Sequence, residues 1–227
     1  MKTLLVVSDL TVVAFGRTIF DRFSLSVSEG EVVALLGPNG SGKSTLLDVV
    51  AGVRPALRGT VTVAGVDARD RSAAARELGY AADRPELPGE LRVDEWLALV
   101  GAVRGARTMR ADDRAFDVGA LRGQPLGKLS LGETRRVLLA SALIGRSAAP
   151  RVLLFDEPTN GLDLARRAEL DRVIASHAKS GGAVVVATHD RAFASATGAR
   201  RVDLADFAGA TRESVETPSE TPPNPRR

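Results

Sequence analysis

The chain has 227 residues, of which 44% are hydrophobic and 26% charged, with a formal net charge of +3 and no cysteine. Such a mix can bury a core without crosslinks, and it excludes disulfide frameworks, thiol nucleophiles and cysteine-based zinc sites. His177 and His189 are the only histidines, which excludes a histidine-rich metal site as well.

The chain opens on Leu4–Val7, an apolar run broken at once by Ser8 and Asp9. That run is too short for a secretory leader. The longest uncharged apolar stretch, Trp96–Val103, falls far short of the ~18 residues of a membrane span. The sequence therefore reads as cytoplasmic. Basic residues are interspersed with acids and aromatics are only 4%, so no nucleic-acid surface is expected.

Leu4–Val7, Leu10–Val13 and Phe23–Val27 are short and rich in β-formers, which predicts a small N-terminal sheet. After a turn at Ser28–Glu31, Val32–Leu36 is continuously apolar, as in a strand buried on both faces. A glycine-rich loop leads directly into a helix from Ser44 to Gly52, and Thr60–Val63 between Gly59 and Gly65 is a further strand. From about 91 to 128 the texture becomes helical. Arg104, Arg107, Arg110 and Arg114 in this part read as a solvated helix face, or, more sharply, as an edge meeting a partner subunit. Beyond it lie a helix over Leu131–Ile144, a buried strand over Val152–Phe155, a helix over Leu164–His177 with His177 on its solvated face, and a buried strand over Ala183–Ala187. This alternation predicts an α/β domain with a mostly parallel core sheet. From Thr211 onward, proline and polar residues predict a disordered tail over 211–227.

The loop Gly37-Pro38-Asn39-Gly40-Ser41-Gly42-Lys43-Ser44-Thr45 fits G-x-x-x-x-G-K-S/T between a buried strand and a helix. Its glycines let successive N–H groups face one anion, and the helix N-terminus adds partial positive charge. Lys43 suits the β- and γ-phosphates of a nucleotide, and the Ser44 hydroxyl suits Mg²⁺. The strand Val152–Phe155 ends in two carboxylates: Asp156 is placed to hold the metal, and Glu157 to polarise a water facing the γ-phosphate.

Leu129-Ser130-Leu131-Gly132-Glu133 opens the helix before that strand, and Thr188-His189-Asp190 follows the next one. Together with the phosphate loop and Asp156-Glu157-Pro158, this order resembles the nucleotide-binding domains of ABC (ATP-binding cassette) ATPases, over residues 4 to about 205. The resemblance implies a P-loop NTPase fold of ABC type in one domain over 1–210. It would have an N-terminal antiparallel β-subdomain and an inserted helical subdomain at about 84–145. It also implies ATP and Mg²⁺ as cofactors, with Gly37, Asn39, Gly40, Ser41, Gly42, Lys43, Ser44 and Thr45 around the phosphates and Phe15 stacked on adenine. By the same resemblance, Ser130 and Gly132 would bind the nucleotide of the other subunit in a head-to-tail homodimer or heterodimer. Asn160–Asp163 would communicate between the paired sites, and His189 would contact the γ-phosphate.

The sequence departs from the family at Asp83, where glutamine is usual; an aspartate there could still approach Mg²⁺, and is counted here with Ser44 and Asp156 as a metal residue. Leu131 and Glu133 are further departures that leave Ser130 and Gly132 intact. The expected function is an ATP-hydrolysing subunit at the inner face of the cell membrane, driving a separate transmembrane permease, with export favoured by the compact length. The alternatives are an ABC ATPase serving no transporter and an ATP-dependent dimerisation module with feeble hydrolysis.

Overall fold

The computed structural model describes residues 2–14, 16–106, 115–145 and 149–207. In chain order it contains β1 (Thr3–Ala14), β2 (Arg17–Ser28), β3 (Val32–Leu36), α1 (Lys43–Val50), β4 (Arg58–Val63), β5 (Val66–Asp67), α2 (Arg71–Glu77) and β6 (Leu78–Ala81). There follow α3 (Val93–Val103), two 3₁₀ segments (Ala115–Leu121 and Leu126–Lys128), α4 (Leu131–Ala142), β7 (Val152–Asp156), α5 (Leu164–Lys179), β8 (Ala183–Thr188), α6 (Arg191–Ala196) and β9 (Arg200–Asp203).

Two sheets result. The first is antiparallel, in the order β2-β1-β4-β5. The two short strands expected at the start are one: β1 runs through Ser8 and Asp9, and the break is a register shift against β2 between Val7 and Leu10. Asp9 takes a left-handed φ of 47° there, a conformation that aspartate tolerates better than most residues, and its N–H donates to Ser24 Oγ at 3.0 Å.

The second sheet is parallel throughout, in the order β6-β7-β8-β3-β9. Its central strands are buried on both faces, and their side chains divide by alternation. Val152 and Leu154 of β7 join the core shared with the antiparallel sheet and α1, whereas Leu153 and Phe155 join the core under α4 and α5. The continuous apolar runs seen in the sequence follow from this, since both side-chain rows need a dry neighbour. The strand tips at this sheet's carboxyl end carry the phosphate loop, Asp156 and His189, the edge at which open α/β sheets bind ligands.

The segment between β6 and β7 is tied down by polar contacts within the helical layer. Trp96 Nε1 on α3 donates to Ser141 Oγ of α4 at 2.9 Å. Arg104, expected on a solvated face, is instead only 8% exposed. One of its terminal nitrogens donates to the carbonyls of Ser141 at 2.6 Å, Ala142 at 3.3 Å and Ile144 at 2.7 Å. The last carbonyls of a helix have no partner within it, and the buried guanidinium past α3 supplies donors to those at the end of α4. Burial lowers its pKa to about 10. Arg107, Arg110 and Arg114, with Phe15 and the stretch 211–227, lie outside the described residues. His177 also departs from the solvated position expected of it: it is half-buried, with Nε2 3.4 Å from the Arg151 carbonyl. Burial pushes its pKa down. No helix among the described residues is long and apolar enough to cross a membrane.

Candidate nucleotide site

The turn from β3 into α1 needs glycine at position 42. Gly42 has φ 93°, and an added Cβ would stand 2.5 Å from Ile19 Cγ2 and 2.8 Å from the Phe20 ring. As the N-cap of α1 it provides no side-chain hydrogen bond, so the first N–H groups of the helix are left for an anion. Pro38, Asn39 and Gly40 form the exposed tip of the loop, Gly37, Ser41 and Thr45 are half-buried, and Ser44 is exposed. Lys43 is buried, and its ammonium donates to the carbonyls of Gly37 at 2.8 Å and Pro38 at 3.1 Å. It also lies 3.6 Å from Glu157 Oε1.

Glu157 is the strained residue of this site. Its φ of 44° is left-handed, a conformation costing a non-glycine residue roughly 1–2 kcal/mol. The turn carries its carboxylate off the tip of β7 toward β8. There Oε2 accepts from Thr188 Oγ1 at 3.2 Å and from the His189 backbone N–H at 3.4 Å, and it lies 2.9 Å from His189 Nδ1. Oε1 is buried without a hydrogen-bond partner. Glu157 therefore joins the Lys43 ammonium on one side to His189 on the other. Thr188, to which the sequence gives no role of its own within Thr188-His189-Asp190, holds the hinge: its hydroxyl also accepts from the Asp190 N–H at 3.0 Å.

Asp156, 1% exposed, has an equally unpartnered Oδ1. Burial raises its pKa, assisted by the charges of Asp83, Glu157 and Asp48 and opposed by a hydrogen bond from Ser44. Two unpartnered carboxylate oxygens, the unpartnered Ser41 Oγ and an uncapped helix start are the polar groups that suit a magnesium nucleotide and its waters. Among the described residues no group of three or more acidic or histidine side chains could hold a metal unaided. Mg²⁺ takes one or two protein ligands and completes its shell with phosphate oxygens and water, and the Ser44 hydroxyl and Asp156 carboxylate are of the oxygen type it prefers.

A raised carboxyl pKa means that the ionised form opposes folding. The penalty is fully present above the folded-state pKa and fades as the pH falls through it toward the ordinary carboxylate value of ~4. In nucleotide-free protein at neutral pH, Asp156→Asn should raise Tm. The gap should close on acidification. A fall in Tm on thermal scans would show that Asp156 is held by favourable contacts instead.

Ser130 and Gly132 stand apart from this cluster. Ser130 caps α4 in a reciprocal box with Glu133: the Glu133 N–H donates to Ser130 Oγ at 3.3 Å, and the Ser130 N–H donates to Glu133 Oε2 at 2.8 Å. The Ser130 N–H and the Ser130 hydroxyl, both donating to Glu133 Oε2, hold the Glu133 carboxyl below its usual pKa. Gly132 must be glycine because an added Cβ would come within 2.7 Å of the Gly161 carbonyl. The start of α4 thus packs on the Asn160–Gly161 turn of the same chain. Leu131 beside it is 64% exposed and Leu164 is 85% exposed. Asp83 is engaged elsewhere, by Arg135 Nη2 at 2.5 Å and Asn160 Nδ2 at 3.2 Å. Arg135 was not foreseen, since a basic residue in the polar stretch Glu133–Arg136 reads as facing solvent.

The profile of the ABC transporter family matches residues 20–160. The hemin import ATP-binding protein HmuV of Thermobifida fusca is 38% identical over 196 residues, covering 80% of this chain and 66% of that protein, so the chain spans about two thirds of that relative's length. The cytochrome c biogenesis ATP-binding export protein CcmA of Cereibacter sphaeroides is 36% identical over 222 residues, 96% of this chain and 94% of that one. A solved structure of an ATP-binding subunit of an ABC transporter superposes with a TM-score of 0.76 at 26% identity, over 84% of this chain and 81% of that one. With the family profile over more than half of its length and a relative matched nearly end to end, the chain belongs to the ABC transporter family, among its ATP-binding subunits.

Proposed function

We propose that the chain binds and hydrolyses Mg-ATP as one of two paired nucleotide-binding subunits and thereby energises a separate membrane permease. The observation that carries this reading is the pair of buried, unpartnered carboxylate oxygens, Asp156 Oδ1 and Glu157 Oε1, the latter 3.6 Å from the Lys43 ammonium beside an uncapped helix start. Residues 37–45 would cradle the phosphates, with the Lys43 ammonium turning from the Gly37 and Pro38 carbonyls to the β- and γ-phosphates. Ser44 and Asp156 would hold Mg²⁺, which neutralises charge on the phosphate oxygens when bound. Glu157, oriented by Thr188 and His189, would accept a proton from the attacking water.

Ser130 and Gly132 would serve the nucleotide of the other subunit. Their contacts within this chain are to Glu133 and Gly161, and the exposed Leu131 and Leu164 beside them offer apolar surface to a second copy or a related subunit. The working place would be the cytoplasmic face of the membrane. The names of the relatives include both an importer and an exporter, and the translocated molecule would touch only the permease, so direction would be set there.

The test is to tag the chain, solubilise membranes from cells expressing it, and measure Mg-ATP turnover of what is recovered. A retained multi-span protein that raises turnover above that of the isolated subunit is the expected result. Full turnover in isolation, with no integral membrane protein retained, would leave an ATPase but remove the transporter.

A further inference from the structure

Arg135 is among the largest fully buried side chains, 1% exposed, in the middle of α4. Its guanidinium gathers three segments. Nη1 donates to the carbonyls of Ala82 at 3.0 Å and Asp156 at 3.2 Å, and Nη2 donates to the carbonyl of Asp83 at 2.7 Å and to Asp83 Oδ1 at 2.5 Å. Asp83 Oδ1 also accepts from Asn160 Nδ2 at 3.2 Å. Its other oxygen, Oδ2, lies 3.5 Å from Nε of the exposed Arg84. Among the described residues, Asp83 is the only carboxylate in an ion pair with Arg135.

We infer that Asp83 is a positioning residue and not a metal ligand: it neutralises the buried Arg135, and the pair clamps the Ser130 helix and Asn160 to the backbone at the Asp156–Glu157 junction. Chemistry favours this assignment in two ways. The buried Arg135 guanidinium stays charged, and the Asp83 carboxylate offsets its desolvation, so turning Asp83 toward a metal would strand Arg135. The second reason lies in what Arg135 grips. It holds the carbonyl of Asp156, one residue before the left-handed Glu157. A slack guanidinium would let that strained turn relax and shift the Glu157 carboxylate, and misplacement of about 1 Å at a reacting centre costs up to ~10²-fold in rate.

The catalytic half of this inference rests on the site assignment proposed above. The structural half is read in nucleotide-free protein, so the two can fail separately.

The experiment is a double-mutant cycle with Asp83→Asn, Arg135→Gln and the pair together. In nucleotide-free protein, Asp83→Asn should lower Tm by about 10 °C, because it leaves a buried charge uncompensated. The double variant, with neither charge, should be clearly more stable than Asp83→Asn alone. Should Asp83→Asn fail to fold while the double variant folds, the same conclusion holds. With Mg-ATP, Asp83→Asn should lose roughly 10- to 100-fold in kcat, with the Mg²⁺ concentration for half-maximal turnover unchanged within about twofold. The double variant should recover part of the kcat. A metal ligand behaves otherwise: Asp83→Asn would keep its Tm and need tenfold or more Mg²⁺, and adding Arg135→Gln would rescue nothing. Either that Mg²⁺ shift or a double variant no more stable than Asp83→Asn overturns the inference. If the wild type itself shows no turnover while the Tm cycle closes as expected, the proposed function has failed and the clamp has not.

Discussion

Replacing Glu157 with glutamine is expected to slow ATP turnover by roughly 10²–10⁴-fold, the usual worth of a positioned general base, while Mg-ATP continues to bind. Glutamine keeps the length of the side chain and can still accept from Thr188 Oγ1 and the His189 N–H, the two donors that aim Oε2. It cannot accept a proton from water near neutral pH. Affinity for Mg-ATP should hold or rise, because Glu157 Oε1 lies 3.6 Å from the Lys43 ammonium and competes for it with the phosphates. With binding retained and chemistry blocked, two nucleotides trapped between subunits would keep them together. Size-exclusion chromatography should then show a Mg-ATP-dependent dimer for Glu157→Gln and mostly monomer for the wild type at equal concentration. Wild-type turnover in the variant would mean that another group handles the water.

The segments that the fold brings together around Lys43, Asp156 and Glu157 were legible in the sequence because each part is contiguous and carries its own context: a buried strand, then glycines, then a helix; or an apolar strand, then two acids. The parallel strands were legible for a related reason. Burial on both faces erases alternation, so Val152–Phe155 and Ala183–Ala187 stand out as unbroken apolar runs whose bounds match β7 and β8 within a residue. What escaped was short, or was fixed by partners remote in the chain. β9 is four residues with two arginines, and it exists because Val33–Leu36 of β3 offer it a ladder. α6 is a helix of six residues started by the Asp190 side chain accepting from the Phe193 N–H at 2.9 Å. Arg104 reads as solvent-facing, and nothing in the sequence marks Arg135 for burial, because charge is normally outside. Their burial depends on carbonyls at the end of α4 and at the Asp83 and Asp156 loops, residues far away in sequence. Asp83 shows the same limit in the site itself: its position after β6 suggested the metal, and only the fold brings Arg135 to its carboxylate.

Lys43→Ala should weaken Mg-ATP binding by roughly 10²–10³-fold, the loss of two charge-assisted hydrogen bonds at about 1.5–2 kcal/mol each. Without nucleotide, the ammonium bonds to the Gly37 and Pro38 carbonyls and balances Glu157. Alanine therefore has a second effect, since the buried Glu157 carboxylate loses its nearest counter-charge. A fall in Tm of several degrees is expected, at about 2–4 °C per kcal/mol for this size, and a weakened fold could by itself depress binding. The variant Lys43→Ala/Glu157→Gln separates the two effects. Removing both charges should restore most of the Tm, because neither partner is left buried alone. It should not restore affinity, because nothing replaces the cation at the β- and γ-phosphates. Calorimetric titration with Mg-ATP beside a thermal scan decides between them. If affinity returns together with Tm in the double variant, Lys43 matters to the loop only as a structural counter-ion, and its assignment to the phosphates is wrong.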